Sequence, residues 1–389
     1  MLPLLILIYL AFISLGLPDA LLGSAWPVMH ADIGASLSAA GVISFIVSAG
    51  TIVSSLTSDK LVRRFKTEKV TTVSVFMTAL ALFGISCSNT LWRMCLWAVP
   101  LGLGAGSVDA ALNNFVALRY KAKHMNWLHC FWGVGATLGP VIMSFFIAEH
   151  QGWKAAYRVI FIIQITLAAI LFFSAPLWKK AVSPDENSAD NTKTISNREA
   201  LRIKGIKYAL FAFMCYCGYE AATGLWTSSF LVTQRGVTAE RAALWASLFF
   251  AGISFGRVLA GFLSAKFSSQ TLIRCGCGIG ILGTAFLFLP GELALPGVVL
   301  IGFGGAPFYP QMIHETPKRF GKEASGAAMG LQMACAYIGT TAVPPIAGLL
   351  CDKLSLSVLP VVLLILEIGA FALSEKTNGG VQKGGLEVV

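Results

Sequence analysis

Charge is scarce in this chain. Only 12% of its 389 residues are Asp, Glu, Lys or Arg, about half of the roughly 25% found in soluble domains. Hydrophobic residues make up 56%, and the mean hydropathy is +0.73. A water-soluble fold cannot cover so much apolar surface, so the chain is expected to be an all-α polytopic membrane protein with the lipid bilayer as its solvent. The net charge of +10 comes from basic residues that do not gather into one patch, which excludes a nucleic-acid partner. The N-terminus lacks the basic n-region of a signal peptide, and its apolar run is too long for an h-region, so residues 3–29 are expected to stay as a first span. The nine cysteines lie almost entirely in apolar runs. The pairs Cys215/Cys217 and Cys275/Cys277 point to different helix faces, so neither metal nor disulfide chemistry is expected. There is no HExxH and no nucleotide-binding loop, so no enzyme activity and no cofactor are expected.

Apolar runs of ~20 residues predict twelve spans, at about 3–29, 38–58, 68–88, 92–117, 127–148, 157–178, 207–232, 241–264, 271–290, 295–314, 324–350 and 355–374. One connection is long. Residues 179–206 include SPDENSADNTKTISNREA, which is polar and free of aromatics, as a linker should be. It separates an expected N-terminal bundle, 1–178, from a C-terminal bundle, 207–389. With both termini cytoplasmic, 22 of the 29 Lys and Arg residues fall on the inner side and six on the outer, leaving Arg257 within the membrane. That asymmetry predicts the orientation, in a cell (plasma or inner) membrane.

The halves resemble each other. GTIVSSLTSDK at 50–60 aligns with GRVLAGFLSAK at 256–266, an offset of 206. Gly102 and Gly104 match Gly302 and Gly304 at 200, Asp19 and Gly23 match Glu220 and Gly224 at 201, and His129 meets Gln332 at 203. Six spans repeated in one orientation imply two bundles related by an axis along the membrane normal.

Against this background the buried polar residues stand out. In GLPDALLGSAW, residues 16–26, a carboxylate sits among helix-weakening Gly16, Pro18 and Gly23. An acid in hydrocarbon pairs with a cation, takes up a proton, or faces a watery cavity, and span one holds no cation for Asp19. Asp109 in span four shares a helix face with Asn113. Both acids are candidate proton carriers. Glu220 and Arg257 lie roughly 20 and 13 Å deep by helical rise, so Arg257 can reach Glu220, either as a structural pair or as part of the site. Asn113, Asn114, His129, Glu220, Tyr219, Trp226, Tyr309 and Gln332 are candidate solute contacts, since sugars are matched by amides and an aromatic face. Glu367 has no evident partner and reads as structural.

The architecture resembles the major facilitator superfamily. SLTSDKLVRR after span two is similar to that superfamily's loop signature, with Ser55 and Val62 replacing its glycines and Asp59 and the basic residues kept. The resemblance implies that Asp59, Arg63, Arg64 and Arg257 act in gating. Within the superfamily, GLGAGSVDAALNNFVA, LHCFWGVGATLGP, GYEAATGLW, APFYPQM and GLQMACAYIG resemble the fucose permease branch. That likeness implies a monomeric proton-coupled importer of a sugar or similar small polar solute, with Asp19 and Asp109 as the titrating acids. Gly16 and His129 depart from the branch, which has Asn and Gln there, so a sugar-like solute is expected rather than fucose itself. The competing expectation is a proton-coupled antiporter exporting drugs or metabolites; Asn113, Asn114 and Gln332 make the site more polar than such cargo needs.

Overall fold

The computed structural model describes residues 2–120, 122–180 and 196–382. Among these, all regular structure is helical. The first half comprises α1 (Leu2–Asp19), α2 (Leu21–Asp32), α3 (Ala39–Phe65), α4 (Thr67–Ser86), α5 (Leu91–Arg119), α6 (Ala122–Ala148), α7 (Gly152–Phe173) and the short α8 (Ala175–Lys180). After α9 (Asn197–Ala200) come α10 (Ile206–Arg235), α11 (Ala239–Leu263), α12 (Ser269–Phe286), α13 (Leu295–Gly305), α14 (Phe308–Phe320), α15 (Lys322–Lys353) and α16 (Leu359–Gln382). Ten segments are long and apolar enough to cross a membrane, with α1–α2 and α13–α14 each acting as one. The expected seventh and ninth spans are present as α10 and α12. They are less apolar because α10 carries Glu220 and α12 carries Gln270, Arg274 and four glycines.

The first span breaks where its sequence is weakest. Pro18 has no N–H to give to the Ser14 carbonyl, and Gln164 of α7 supplies the missing donor through Nε2 at 2.6 Å. The Gln164 Oε1 in turn accepts from Thr78 Oγ1 at 2.7 Å. α1 ends at Asp19, and Ala20 (φ −98°, ψ −4°) links it to α2. The freed backbone carbonyl is thus satisfied by protein, which is what makes such a break tolerable in a membrane.

In the first half α1 packs on α6, α3 on α5, and α4 on α5 and α7; in the second, α10 packs on α15 and α16, and α13 on α11 and α12. Glycines bring these backbones together. A Cβ on Gly102 would lie 2.1 Å from the Val47 carbonyl oxygen, and one on Gly302 2.1 Å from that of Phe249. The repeat is therefore physical, but two registers differ from the sequence alignment. A Cβ on Gly50 would lie 3.1 Å from Leu103 N, as one on Gly252 would lie 3.0 Å from Phe303 N, so spans two and eight match at 202 rather than 206. Gly135 meets the Ile13 carbonyl as Gly339 meets that of Met214, so spans five and eleven match at 204 rather than 203. The four-residue slip is about one helical turn and keeps the same face; the one-residue slip rotates the side chain by about 100°.

The halves meet through α6 with α11, α3 with α15, and α2 with α10. Repeat-matched Gly23 and Gly224 touch each other here: a Cβ on Gly23 would lie 2.3 Å from the Gly224 oxygen. Gly41 abuts Pro345, Ser38 N donates to Asp352 Oδ1 at 3.2 Å, and Ser144 Oγ donates to the Glu240 carbonyl at 2.7 Å. These contacts close one end of the molecule, the end bearing the 32–39 and 235–239 turns. No packing of this extent joins α5 to α13 or α14 at the opposite end among the described residues. Gly23→Val should wedge this closure apart, costing about 1–3 kcal/mol as an overpacked contact. Faster labelling of a cysteine placed at Leu22, read against the parent protein, is the expected result.

Candidate functional site

The break after Asp19 turns its carboxylate out of the α1 packing, and Asp19 is exposed although Leu17, Pro18 and Ala20 around it are buried. Its Oδ2 accepts a 2.7 Å hydrogen bond from Trp132 Nε1 of α6. On α5, Asp109 Oδ1 accepts from Asn113 Nδ2 at 2.9 Å, the i,i+4 pairing expected from their spacing. Asp19 and Asp109 lie within electrostatic reach of each other. Both are answered by neutral N–H donors.

The second half contributes an ion pair. Arg257 Nη2 of α11 lies 3.5 Å from Glu220 Oε2 of α10, each side chain 21% exposed. The Arg257 guanidinium also stands over the Trp132 ring, 5.9 Å from its centroid. Asp19, Trp132, Arg257 and Glu220 therefore form a continuous series from α1 to α10, crossing between the halves. Around it stand His129, exposed and edge-on to Phe12, and Tyr309, within electrostatic reach of Arg257 and Asp109. The Tyr309 hydroxyl meets Met333 Sδ at 3.1 Å. Arg257 Nε, Asn113 Oδ1 and the Tyr216 hydroxyl are buried with no hydrogen-bond partner among the described residues.

Not every expected contact is there. Trp226 has no exposed surface; its Nε1 donates to the Pro344 carbonyl at 2.9 Å and its ring packs on Gly348. Gln332 is equally enclosed, accepting from Thr316 Oγ1 at 2.9 Å. The corrected register explains this: Gln332 matches Leu128, also fully buried, and His129 matches Met333. Tyr219 is buried too, beside the carboxyl of Glu367, which accepts from Thr284 Oγ1 at 3.1 Å. Glu367 thus has partners inside the second-half bundle. The side chains of Asn114, Asp59 and Arg63 lie outside the described residues, and Arg64 stands over the Phe65 ring at 5.2 Å, exposed. Trp132 was not singled out from sequence; an indole in an aromatic- and glycine-rich span reads as packing. No group of His, Cys, Asp and Glu suited to a metal occurs among the described residues.

Residues 252–256, GISFG, do match the Gly-x-Ser-x-Gly pattern of hydrolase nucleophiles. They lie inside the unbroken α11, with Ser254 Oγ donating to the Phe250 carbonyl at 2.9 Å. A nucleophile elbow needs a strand-to-helix turn, so this serine is a packing residue.

The Major Facilitator Superfamily model matches residues 8–344. Among characterised sequences, the glucose/mannose transporter GlcP of Bacillus subtilis (strain 168) is 25% identical over 78% of this chain and 77% of its own. A probable hexose phosphate transport protein of Chlamydia pneumoniae is 24% identical over 82% and 78%. A variant of the nucleoside transporter NupG superposes with a TM-score of 0.75 at 11% identity, covering 96% of this chain and 98% of that one. A variant of the E. coli fucose:proton symporter FucP gives 0.63 at 17% identity, covering 97% and 98%.

Proposed function

The chain belongs to the major facilitator superfamily, a family of secondary transporters and not of enzymes, and from that premise we propose that this multi-pass membrane protein imports a hexose-like sugar by proton-coupled symport. The observation that carries the proposal is that two cavity acids, Asp19 and Asp109, are paired with neutral donors among the described residues. A carboxylate held by an indole or amide N–H can take up a proton without abandoning a salt-bridge partner, which suits a group that must load and unload in every cycle. The neighbouring charges, Arg257 and Glu220, neutralise each other, which favours an uncharged solute over an anionic one such as a hexose phosphate. A sugar's hydroxyls would find donors and acceptors in the exposed His129 and the partly exposed Arg257 and Glu220, and a ring face in Trp132.

In this reading the halves 1–178 and 207–389 rock about the solute, joined by 179–206. The basic end of the molecule faces the cytoplasm, and the closed end, at Gly23–Gly224, faces outward. The protein works as a monomer, and the Asp59, Arg63 and Arg64 loop latches the cytoplasmic side in the opposite state. Uptake of D-glucose into proteoliposomes tests the proposal. An acid-outside gradient should drive accumulation above the external level, with alkalinisation of the medium on adding sugar. Sugar efflux coupled to proton entry would instead identify an antiporter.

A further inference from the structure

We propose that Trp132 is the positioning residue through which the proton on Asp19 is sensed by the Arg257–Glu220 pair; this rests on the reading of Asp19 as a proton carrier. Trp132 is the shared neighbour of both groups. Its indole N–H donates to Asp19 in 2.7 Å contact, and its ring lies under the Arg257 guanidinium, 5.9 Å away.

The backbone at this point is immobilised by close approach on two sides. A Cβ on Gly16 of α1 would lie 2.1 Å from the Trp132 carbonyl oxygen, and one on Gly133 of α6 would lie 2.0 Å from Ser254 Oγ of α11. Three helices are thus in near-backbone contact around residue 132, two in the first half and one in the second. With its backbone fixed, Trp132 responds to a change at either neighbour by turning its side chain. An ionised Asp19 grips the N–H with a charge-assisted bond, about twice as strong as a neutral one. The gripped ring offers its face to Arg257 and shares the cation with Glu220, which at 3.5 Å holds the guanidinium at the long limit of an ion pair. When Asp19 accepts a proton from the cavity, the grip weakens, the ring is released, and Arg257 transfers its attraction to Glu220. The proton state of the first half thereby sets the geometry of the second. Among the described residues, the other titratable groups facing this centre are Asp109 on α5, His129 and Cys130 on α6, Tyr216 and Cys217 on α10, and Tyr309 on α14.

The test needs no solute, so its outcome is independent of which sugar is carried. A second indole–carboxylate pair, Trp153 Nε1 to Asp32 Oδ2 at 2.8 Å, sits at the far end of the molecule. Histidine rings also stand 6.2 Å from Trp26 and 6.3 Å from Trp127, so the purified full-length protein carries Trp26→Phe, Trp127→Phe and Trp153→Phe as background. Its tryptophan emission should show a transition with pH that disappears when Asp19→Asn or Trp132→Phe is added; persistence in either overturns the proposal. The Asp19→Asn arm leaves Trp132 untouched and stands by itself if the Trp132 variant does not fold. Coupling through the ring is then read from melting temperatures. Asp19→Asn and Arg257→Met should be non-additive by about 1–2 °C with Trp132 present, and additive in Trp132→Phe. Non-additivity that survives Trp132→Phe would mean that the charges sense each other through space, and the proposal would be wrong.

Discussion

Asp19→Asn will reduce solute accumulation in proteoliposomes to the external level while leaving solute–solute exchange in place. The amide keeps the size of the side chain, and its oxygen still accepts from Trp132 Nε1, so the cavity keeps its shape. What it loses is the ability to take up a proton. Accumulation needs the proton gradient to bias the cycle, whereas exchange needs only that the loaded carrier reorient. The expected pattern is therefore a concentration ratio of about one under an acid-outside gradient, against tenfold per unit of pH gradient in the limit of one proton per solute, since each pH unit supplies about 1.4 kcal/mol. Uptake under a gradient and counterflow without one, measured in the same vesicles, separate the two. An Asp19→Asn protein that still concentrates solute would remove Asp19 from the coupling step.

The second large effect is expected at the ion pair. Removing one partner of a buried pair typically costs about 3–5 kcal/mol, and removing both is close to neutral. Glu220 and Arg257 keep about a fifth of their side-chain surface exposed, so screening by cavity water lowers the expectation to ~1–3 kcal/mol for each single variant. Glu220→Gln should cost more than its polarity suggests, because it leaves the guanidinium without a carboxylate among the described residues, facing the Trp132 ring and neutral tyrosines with its Nε already unpaired. Arg257→Met should cost a similar amount by stranding Glu220. The double variant should recover most of the melting temperature and little of the transport. Recovery of both would show the pair to be structural; recovery of neither would mean that the residues act separately.

Sequence made the acids legible because hydrocarbon makes charge conspicuous. Asp19, Asp109, Glu220 and Arg257 each interrupt an apolar run, and the structure brings all four to one centre. The Asp109–Asn113 bond follows from spacing within one helix. What sequence could not supply was the face of a side chain in helices that are apolar all round. Gln332 aligns with His129 as its repeat counterpart in sequence, but the one-residue shift in register turns it inward to Thr316. Trp226 looked like a sugar platform and is a packing residue against Gly348. Trp132 was hidden for the opposite reason: its partners come from α1 and α11, and nothing local marks an indole as a donor to an acid 113 positions away. The glycine contacts would have corrected the register, because they record which backbones touch.

The two halves hold their charge differently, and membrane voltage acts on that difference. Matched positions pair Asp19 with Glu220, Asp109 with Tyr309 and Ser55 with Arg257 in the corrected register. The second half carries a self-cancelling ion pair, so among the described carboxylates of the site it is the first-half acids that add net charge. In the proposed cycle, those acids cross the electric field carrying no charge when their protons are aboard. On the return step of that proposed cycle they are ionised and carry negative charge back, and an inside-negative potential pushes that charge outward, by about 2.3 kcal/mol per charge for each ~100 mV traversed. Voltage would then speed the return of the unloaded carrier rather than the delivery of solute, and an importer built this way draws on the membrane potential in the half-cycle when it carries nothing.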